Sequence, residues 1–282
     1  MGQLPLFGEE PESSSTRATA RGVEYVEART ILTQASGFMA DYDYTLNPYA
    51  GCAFGCTYCY AAFFASDPAK QEDWGGWVEV KENAVQLLRR MRRPLTGRSV
   101  YLSSVTDPYQ PIERTVGLVR ALLEELVPHQ PRLVVQTRSP LVTRDIDLFL
   151  QLERVRINVT VTTDSERVRR TFEPQCPPND ARLDAVHDLV EAGLDVGVTM
   201  TPLLPVEDVD SFAERLRRTG ASRFVVQPMH ATSGRFVAGT RDRAVALSKE
   251  LGWDDDAYAG ALVRLRSALP GLLEGRSGFG PP

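Results

Sequence analysis

The sequence predicts an α/β fold in which six strand–helix units curl into an open or partial (β/α)6 barrel. Three observations predict it. Short β-branched apolar runs alternate with amphipathic segments of helical period along most of the chain. The order strand, helix, strand calls for parallel strands with helices outside, and right-handed crossovers curl such units. The 282 residues, 43% hydrophobic and 24% charged, suffice for one large domain with a real core.

Residues 44–49 form the first predicted strand, which runs directly into three cysteines. A helix follows over 82–93, with Val85, Leu88 and Met91 on one face. The second strand is 99–103, and the next helix, 115–127, carries an apolar stripe through Val119, Leu122, Leu123 and Leu126. Residues 133–137 are the third strand, with a helix over 146–152. The fourth strand, 157–162, is strongly β-branched, and a helix over 182–192 closes at Gly193. The fifth strand is 196–200, with a helix over 210–218 closed by Gly220. The sixth is 224–227, with a helix over 241–251 ended by Gly252. Residues 1–22 are expected to be a disordered N-terminal tail, because Glu9-Glu10-Pro11-Glu12 and Ser13-Ser14-Ser15 offer nothing to bury. The Gly- and Pro-rich residues 271–282 are expected to be a flexible C-terminal tail, leaving 23–270 as the domain.

Active sites in such folds gather beyond the C-terminal ends of the strands. Polar residues stand at each of those places: the cysteines, Thr106 and Asp107, Arg138 and Ser139, Thr163 and Asp164, Thr201, and His230. Net charge is −5, so the whole molecule does not attract nucleic acid. The runs Arg89, Arg90, Arg92, Arg93, then Arg167, Arg169, Arg170, then Arg215, Arg217, Arg218 read first as solvated helix faces and second as phosphate grips. No apolar run approaches the ~20 residues of a membrane span, and the first residues lack the order of a secretory signal. A cytoplasmic protein without a membrane partner is expected.

Three of the four cysteines fall within eight residues, as Cys52, Cys56 and Cys59 in a C-x3-C-x2-C spacing. Clustered thiols in a reducing compartment point to metal or redox chemistry. Thiolates suit an iron–sulfur cluster or zinc. Gly51 and Gly55 let a short loop wrap three corners of a cubane, leaving the fourth iron open. The alternative is structural zinc, with a fourth ligand from Cys176, His129, His187 or His230.

The motif, with Tyr58 just before its last cysteine, resembles the signature of the radical S-adenosylmethionine superfamily. The flanks Asn47-Pro48-Tyr49-Ala50-Gly51-Cys52 and Cys59-Tyr60-Ala61 are similar to the branch related to spore photoproduct lyase. So are Thr106-Asp107-Pro108-Tyr109-Gln110-Pro111, Thr137-Arg138-Ser139 and Glu173-Pro174, and the resemblance extends over about 42–229. It implies a [4Fe–4S] cluster on Cys52, Cys56 and Cys59, S-adenosylmethionine at the open iron, and its reductive cleavage to a 5′-deoxyadenosyl radical that acts on a substrate still to be named. It further implies an external electron donor of flavodoxin or ferredoxin type. By the same resemblance Arg138 meets the cofactor's carboxylate, and Ser104, Thr106 and Asp107 meet its methionine moiety. Thr162, with Thr163 and Asp164, reaches the ribose, and Tyr58 lies against adenine. Glu173, Pro174 and Arg182 are expected to lock the rim from beneath, and Trp74 and Trp77 to shield the cluster. Cys176 is the candidate hydrogen-atom donor. The lyase family places its donor cysteine near the end of the second strand, where this chain reads Ser103-Ser104-Val105-Thr106-Asp107. DNA repair of lyase type, or nucleic-acid binding, is therefore the alternative function rather than the leading one.

Overall fold

The computed structural model describes residues 22–229 and 240–282. Among these, the strands are β1 (Val23–Val26), β2 (Leu32–Gln34), β3 (Tyr44–Leu46), β4 (Tyr49–Gly51), β5 (Val78–Lys81), β6 (Ser99–Leu102), β7 (Arg132–Thr137), β8 (Val155–Thr160), β9 (Asp195–Met200), β10 (Arg223–Val226) and β11 (Leu273–Glu274). The helices are α1 (Pro68–Glu72), α2 (Ala84–Arg89), α3 (Glu113–Val116), α4 (Leu118–Leu126), α5 (Ile146–Phe149), α6 (Glu166–Phe172), α7 (Asn179–Glu191), α8 (Val209–Arg218), α9 (Asp242–Glu250) and α10 (Asp255–Ala268). Residues 1–21, most of the expected N-terminal tail, and His230 lie outside the described residues.

All six predicted strands stand side by side in one sheet of order β11-β10-β9-β8-β7-β6-β3-β2. Its pairings are parallel except for β2 on β3. The result is an α/β partial barrel. Side chains alternate across it, as a period of two requires. Val100, Leu102, Leu133, Val135, Ile157, Val159, Val196 and Val198 face outward. They pack in one apolar cluster with Val119, Leu122 and Leu126 of α4, Leu189 of α7 and Leu216 of α8. Fully burying each such side chain is worth about 1.5–3 kcal/mol. Several of the alternate residues are polar and bond among themselves. Tyr101 donates to Gln136 (3.0 Å), and Gln136 donates to Thr160 (2.7 Å) and Thr199 (2.9 Å).

The boundaries depart from expectation for local reasons. The run 44–49 is two strands, β3 in the large sheet and β4 in a three-stranded sheet ordered β1-β5-β4. Pro48 between them has no N–H for a ladder. The Asn47 side chain instead accepts from Ser104 N (2.9 Å) and Val105 N (3.2 Å). The helix expected over 115–127 starts earlier and breaks at Gly117, whose φ is +65°. Helix α10 and strand β5 escape the sequence reading, and α6 enters it only as the helix face bearing Arg167, Arg169 and Arg170, of which Arg169 is buried rather than solvated.

The flexible C-terminal tail is corrected. Residues 273 and 274 add β11 to the sheet beside Val225 and Val226. Phe279 is buried with Tyr42, Tyr101, Val134 and Val225. Its carbonyl accepts from Tyr42 Oη, and the Gly280 carbonyl accepts from Arg156 Nη1 (3.1 Å). The segment plugs the inside of the barrel because Phe279 supplies the apolar anchor that a Gly/Pro composition conceals.

Candidate active site

β4 delivers the chain into the cysteine loop, and glycine makes the turns possible. Gly51 has φ +72°, and a Cβ there would stand 2.5 Å from the Trp77 carbonyl oxygen. Gly55 has φ +58° and lies against Gly75, where a Cβ would come within 3.2 Å of the Gly75 Cα. The loop is fastened on three sides. Thr106 Oγ1 donates to the Gly51 carbonyl (2.6 Å), Ala53 N–H to Gln110 Oε1 (2.8 Å), and Thr57 N–H to the Phe172 carbonyl (2.8 Å).

Cys52, Cys56 and Cys59 are free thiols that gather in one cluster with Phe54, Tyr58, Trp74, Phe172 and Cys176, with Trp77 packed against it. Burial pushes the Cys52 thiol well up, aided by Asp107, Cys56 and Cys59. Burial and the neighbouring Cys56 push Cys59 to about 11. Cys56 moves down instead, through its hydrogen bond with Cys176 and despite burial. Three soft donors that feel one another beside Trp74 and Trp77 fit a multi-iron cluster. Among the described residues, no three His, Cys, Asp or Glu side chains converge closely enough to hold a single metal ion. A mononuclear zinc site needs all its ligands within ~2.3 Å of one point, whereas a cubane is gripped at separate corners. His187 faces solvent and pairs with Glu191 on α7 (3.3 Å), away from the thiols.

Beside the thiols lies a buried charged network. Glu173, which follows α6, pairs with Arg182 of α7 at 2.6 Å, both side chains being fully buried. Glu173 also accepts from Tyr58 Oη and from Thr162 Oγ1 (2.9 Å). Burial pushes its carboxyl up, but the Arg182 and Arg138 guanidiniums and these hydrogen bonds override burial and bring it down to about 2. Arg138, just past β7, lies 3.6 Å from Glu173 and donates to Tyr58 Oη (3.0 Å), its guanidinium 5.6 Å from the Tyr58 ring centre. Burial opposes its charge, while Tyr58, Cys56 and Glu173 favour it. It retains 19% side-chain exposure, and its Nε is buried without a hydrogen-bond partner, a donor left over for a ligand.

Several expected site residues have partners within the protein. Asp107 is buried, and its carboxylate accepts from Thr137 Oγ1 (2.7 Å), Arg138 N (2.8 Å) and Tyr109 N (2.9 Å). It holds the strand end that carries Arg138. Thr106 is committed to the cysteine loop, and Thr162 is fully buried on Glu173. Thr163 donates to the Pro205 carbonyl, Asp164 accepts from Glu207 N and Asp208 N, and Ser165 caps α6. Ser104 stays partly exposed beside Asn47, its carbonyl accepting from Tyr60 Oη. Cys176 is 5% exposed with its sulfur 3.5 Å from that of Cys56, so the thiol faces a motif cysteine rather than the open rim. Sequence reasoning assigned no role to Asn47 and Gln110, although both lie in the quoted motifs. Each uses a side-chain amide to pin backbone, which no spacing announces. At Ser103 the backbone takes φ +71° and the buried hydroxyl has no hydrogen-bond partner, a strained position at the strand end nearest the loop.

The sequence pattern of the radical SAM superfamily matches residues 46–219, which include every motif cysteine, Arg138 and Glu173. The chain belongs to the radical SAM superfamily. That superfamily's cofactors are a [4Fe–4S] cluster and S-adenosylmethionine. An uncharacterized protein of Methanocaldococcus jannaschii is 35% identical over 162 residues, 57% of this chain and 61% of that protein. An uncharacterized protein of Mycobacterium tuberculosis is 30% identical over 201 residues, 66% of this chain and 58% of that protein. The chain therefore spans about six tenths of these relatives' length. Among solved structures, a spore photoproduct lyase mutant with a dinucleoside spore photoproduct superposes with a TM-score of 0.63 at 17% identity, over 90% of this chain and 81% of that one. At that identity the likeness is one of fold, and it agrees with the radical SAM partial barrel read from the strands. No helix among the described residues is long and apolar enough to cross a membrane.

Proposed function

We propose that this chain is a radical SAM enzyme that holds a [4Fe–4S] cluster on Cys52, Cys56 and Cys59 and binds S-adenosylmethionine beside it. The observation that carries the reading is the meeting of three free thiols, Cys52 and Cys56 buried and Cys59 half-buried, with Arg138, an arginine held by Tyr58 and Glu173 whose Nε is buried without a hydrogen-bond partner. When bound, the cluster and S-adenosylmethionine together supply reductive sulfonium cleavage and a 5′-deoxyadenosyl radical for hydrogen abstraction. The protein's own work is to bind, orient and exclude water. Arg138 offers a forked donor to the cofactor's carboxylate. Glu173 and Arg182 keep that fork from swinging, and Asp107 fixes its backbone. Trp74, 7% exposed and edge-on to Trp77 at 5.9 Å, covers the thiols against solvent. Four free thiols suit a reducing cytoplasm, with a flavodoxin- or ferredoxin-type protein as electron source.

The nucleic-acid alternative is less favoured, since several arginines of the runs already have acidic partners, one of them buried. Arg169 is buried on Glu166 (2.7 Å) and on the Cys176 carbonyl (2.7 Å). Arg215 pairs with Asp180, both Arg217 and Arg218 pair with Glu214, and Arg89 pairs with Glu125. The test of the reading is electron paramagnetic resonance of the iron-loaded, dithionite-reduced chain. Adding S-adenosylmethionine should change the cluster signal, and the change should need Arg138. A signal indifferent to S-adenosylmethionine would contradict it. Binding to irradiated DNA that falls steeply with salt would restore the alternative.

A further inference from the structure

We propose that Cys176 is a positioning residue of the cluster, its thiol donating an S–H···S hydrogen bond to the Cys56 sulfur and raising the potential at which the cluster takes up an electron. The inference rests on the cluster assignment proposed above and adds a role for the one cysteine outside the motif.

Geometry carries it. The two sulfurs are 3.5 Å apart, and Cys176 is 5% exposed. Its loop is built to hold that position. Arg169 Nη1 donates to the carbonyls of Cys176 (2.7 Å) and Glu173 (3.1 Å), while Arg169 Nε is held by Glu166 (2.7 Å). Cys176 N–H donates to the Glu173 carbonyl (3.1 Å). The neighbouring Phe172 carbonyl takes the Thr57 N–H, so the segment bearing Cys176 and the loop bearing Cys56 are tied together one residue from the ligand. Among the described residues, this is the side-chain hydrogen bond made to a motif sulfur. A ligating Cys56 is a thiolate with no proton to give, so Cys176 must be the donor, and it keeps its proton throughout.

The direction of the effect follows from charge. Reduction adds one negative charge to the cluster and its thiolates. A hydrogen bond to a ligand sulfur stabilises that more negative state more than the oxidised one, and such bonds are among the levers that set cluster potentials. Cys176 thus acts through Cys56 and touches neither cofactor carboxylate nor substrate.

The test is a redox titration, followed by electron paramagnetic resonance, of the iron-loaded wild-type chain, Cys176→Ala and Cys176→Ser. Alanine should leave iron content unchanged and shift the reduction equilibrium about tenfold toward the oxidised cluster, ~59 mV for one electron. Serine, whose O–H can replace the donor, should recover most of the shift. Cys176→Val, which fills the space, repeats the measurement should alanine shed iron. An alanine or valine variant with full iron and the wild-type potential would overturn the proposal, as would serine behaving like alanine. A wild-type chain that takes up no iron would overturn the cluster reading itself, an outcome distinguished by iron analysis alone.

Discussion

Replacing Glu173 by glutamine tests whether the buried network beside the thiols is held by charge. Glutamine keeps the shape and removes the negative partner of Arg182, whose side chain is fully buried 2.6 Å from Glu173. Leaving one half of a buried pair uncompensated costs about 3–5 kcal/mol. Proton linkage gives an independent figure. The fall of the carboxyl from its ordinary 4.5 to about 2 converts to about 3 kcal/mol at ~1.4 kcal/mol per pH unit. Because the folded-state value is depressed, this stabilisation is complete above pH 4.5 and is lost as pH falls toward about 2. For a chain of this size 3 kcal/mol is roughly 5 °C in Tm. Thermal unfolding of the iron-free wild type and Glu173→Gln, followed by circular dichroism at pH 7, 4 and 3, should show that gap at pH 7 and a smaller one at pH 3. Coincident melting at pH 7, or a gap that stays constant down to pH 3, would refute the reasoning.

Four other outcomes are expected. Cys56→Ala should lower iron after reconstitution from about four per chain to below one; four irons retained would move the ligand assignment, with Cys176 first in line. Arg138→Ala should weaken S-adenosylmethionine binding to the loaded chain at least tenfold, from a charged hydrogen bond worth about 1.5–3 kcal/mol, with iron content unchanged; equal affinity by equilibrium dialysis would place the carboxylate elsewhere. Gln110→Leu leaves the Ala53 N–H without its acceptor, at about 1–3 kcal/mol, so a chelator should strip iron faster than from wild type, and unaltered kinetics would deny the loop its fastening. Phe279→Ala should cost about 3–5 kcal/mol as a core truncation; a loss under 1 kcal/mol in urea would mean the C-terminal plug is dispensable.

The six barrel strands were legible because each is a β-branched run between helices of clear period, and strand order follows from right-handed crossovers. The spacing of the three cysteines and the place of Arg138 after a strand were legible, and their roles are those proposed above. The partners of Asp107 and Thr162 were not legible, since a polar side chain past a strand end reads alike whether it faces a ligand or ties the loop; the bonds run to Thr137 and Arg138 from the former and to Glu173 from the latter. The seat of Cys176 against Cys56, 120 residues away, was hidden likewise. Helix α6 was read only as an arginine-bearing helix face without bounds, because Glu166–Phe172 is short. The C-terminal segment misled through composition, since one buried phenylalanine outweighs its glycines and prolines.

The central claim is that this chain's thiols and Arg138 together support reductive cleavage of S-adenosylmethionine. Anaerobic incubation of the iron-loaded chain with S-adenosylmethionine and dithionite tests it most directly. Methionine and 5′-deoxyadenosine should appear in equal amounts, and Cys59→Ala should give neither. A chain with a full complement of iron that forms no more 5′-deoxyadenosine than Cys59→Ala would contradict the account.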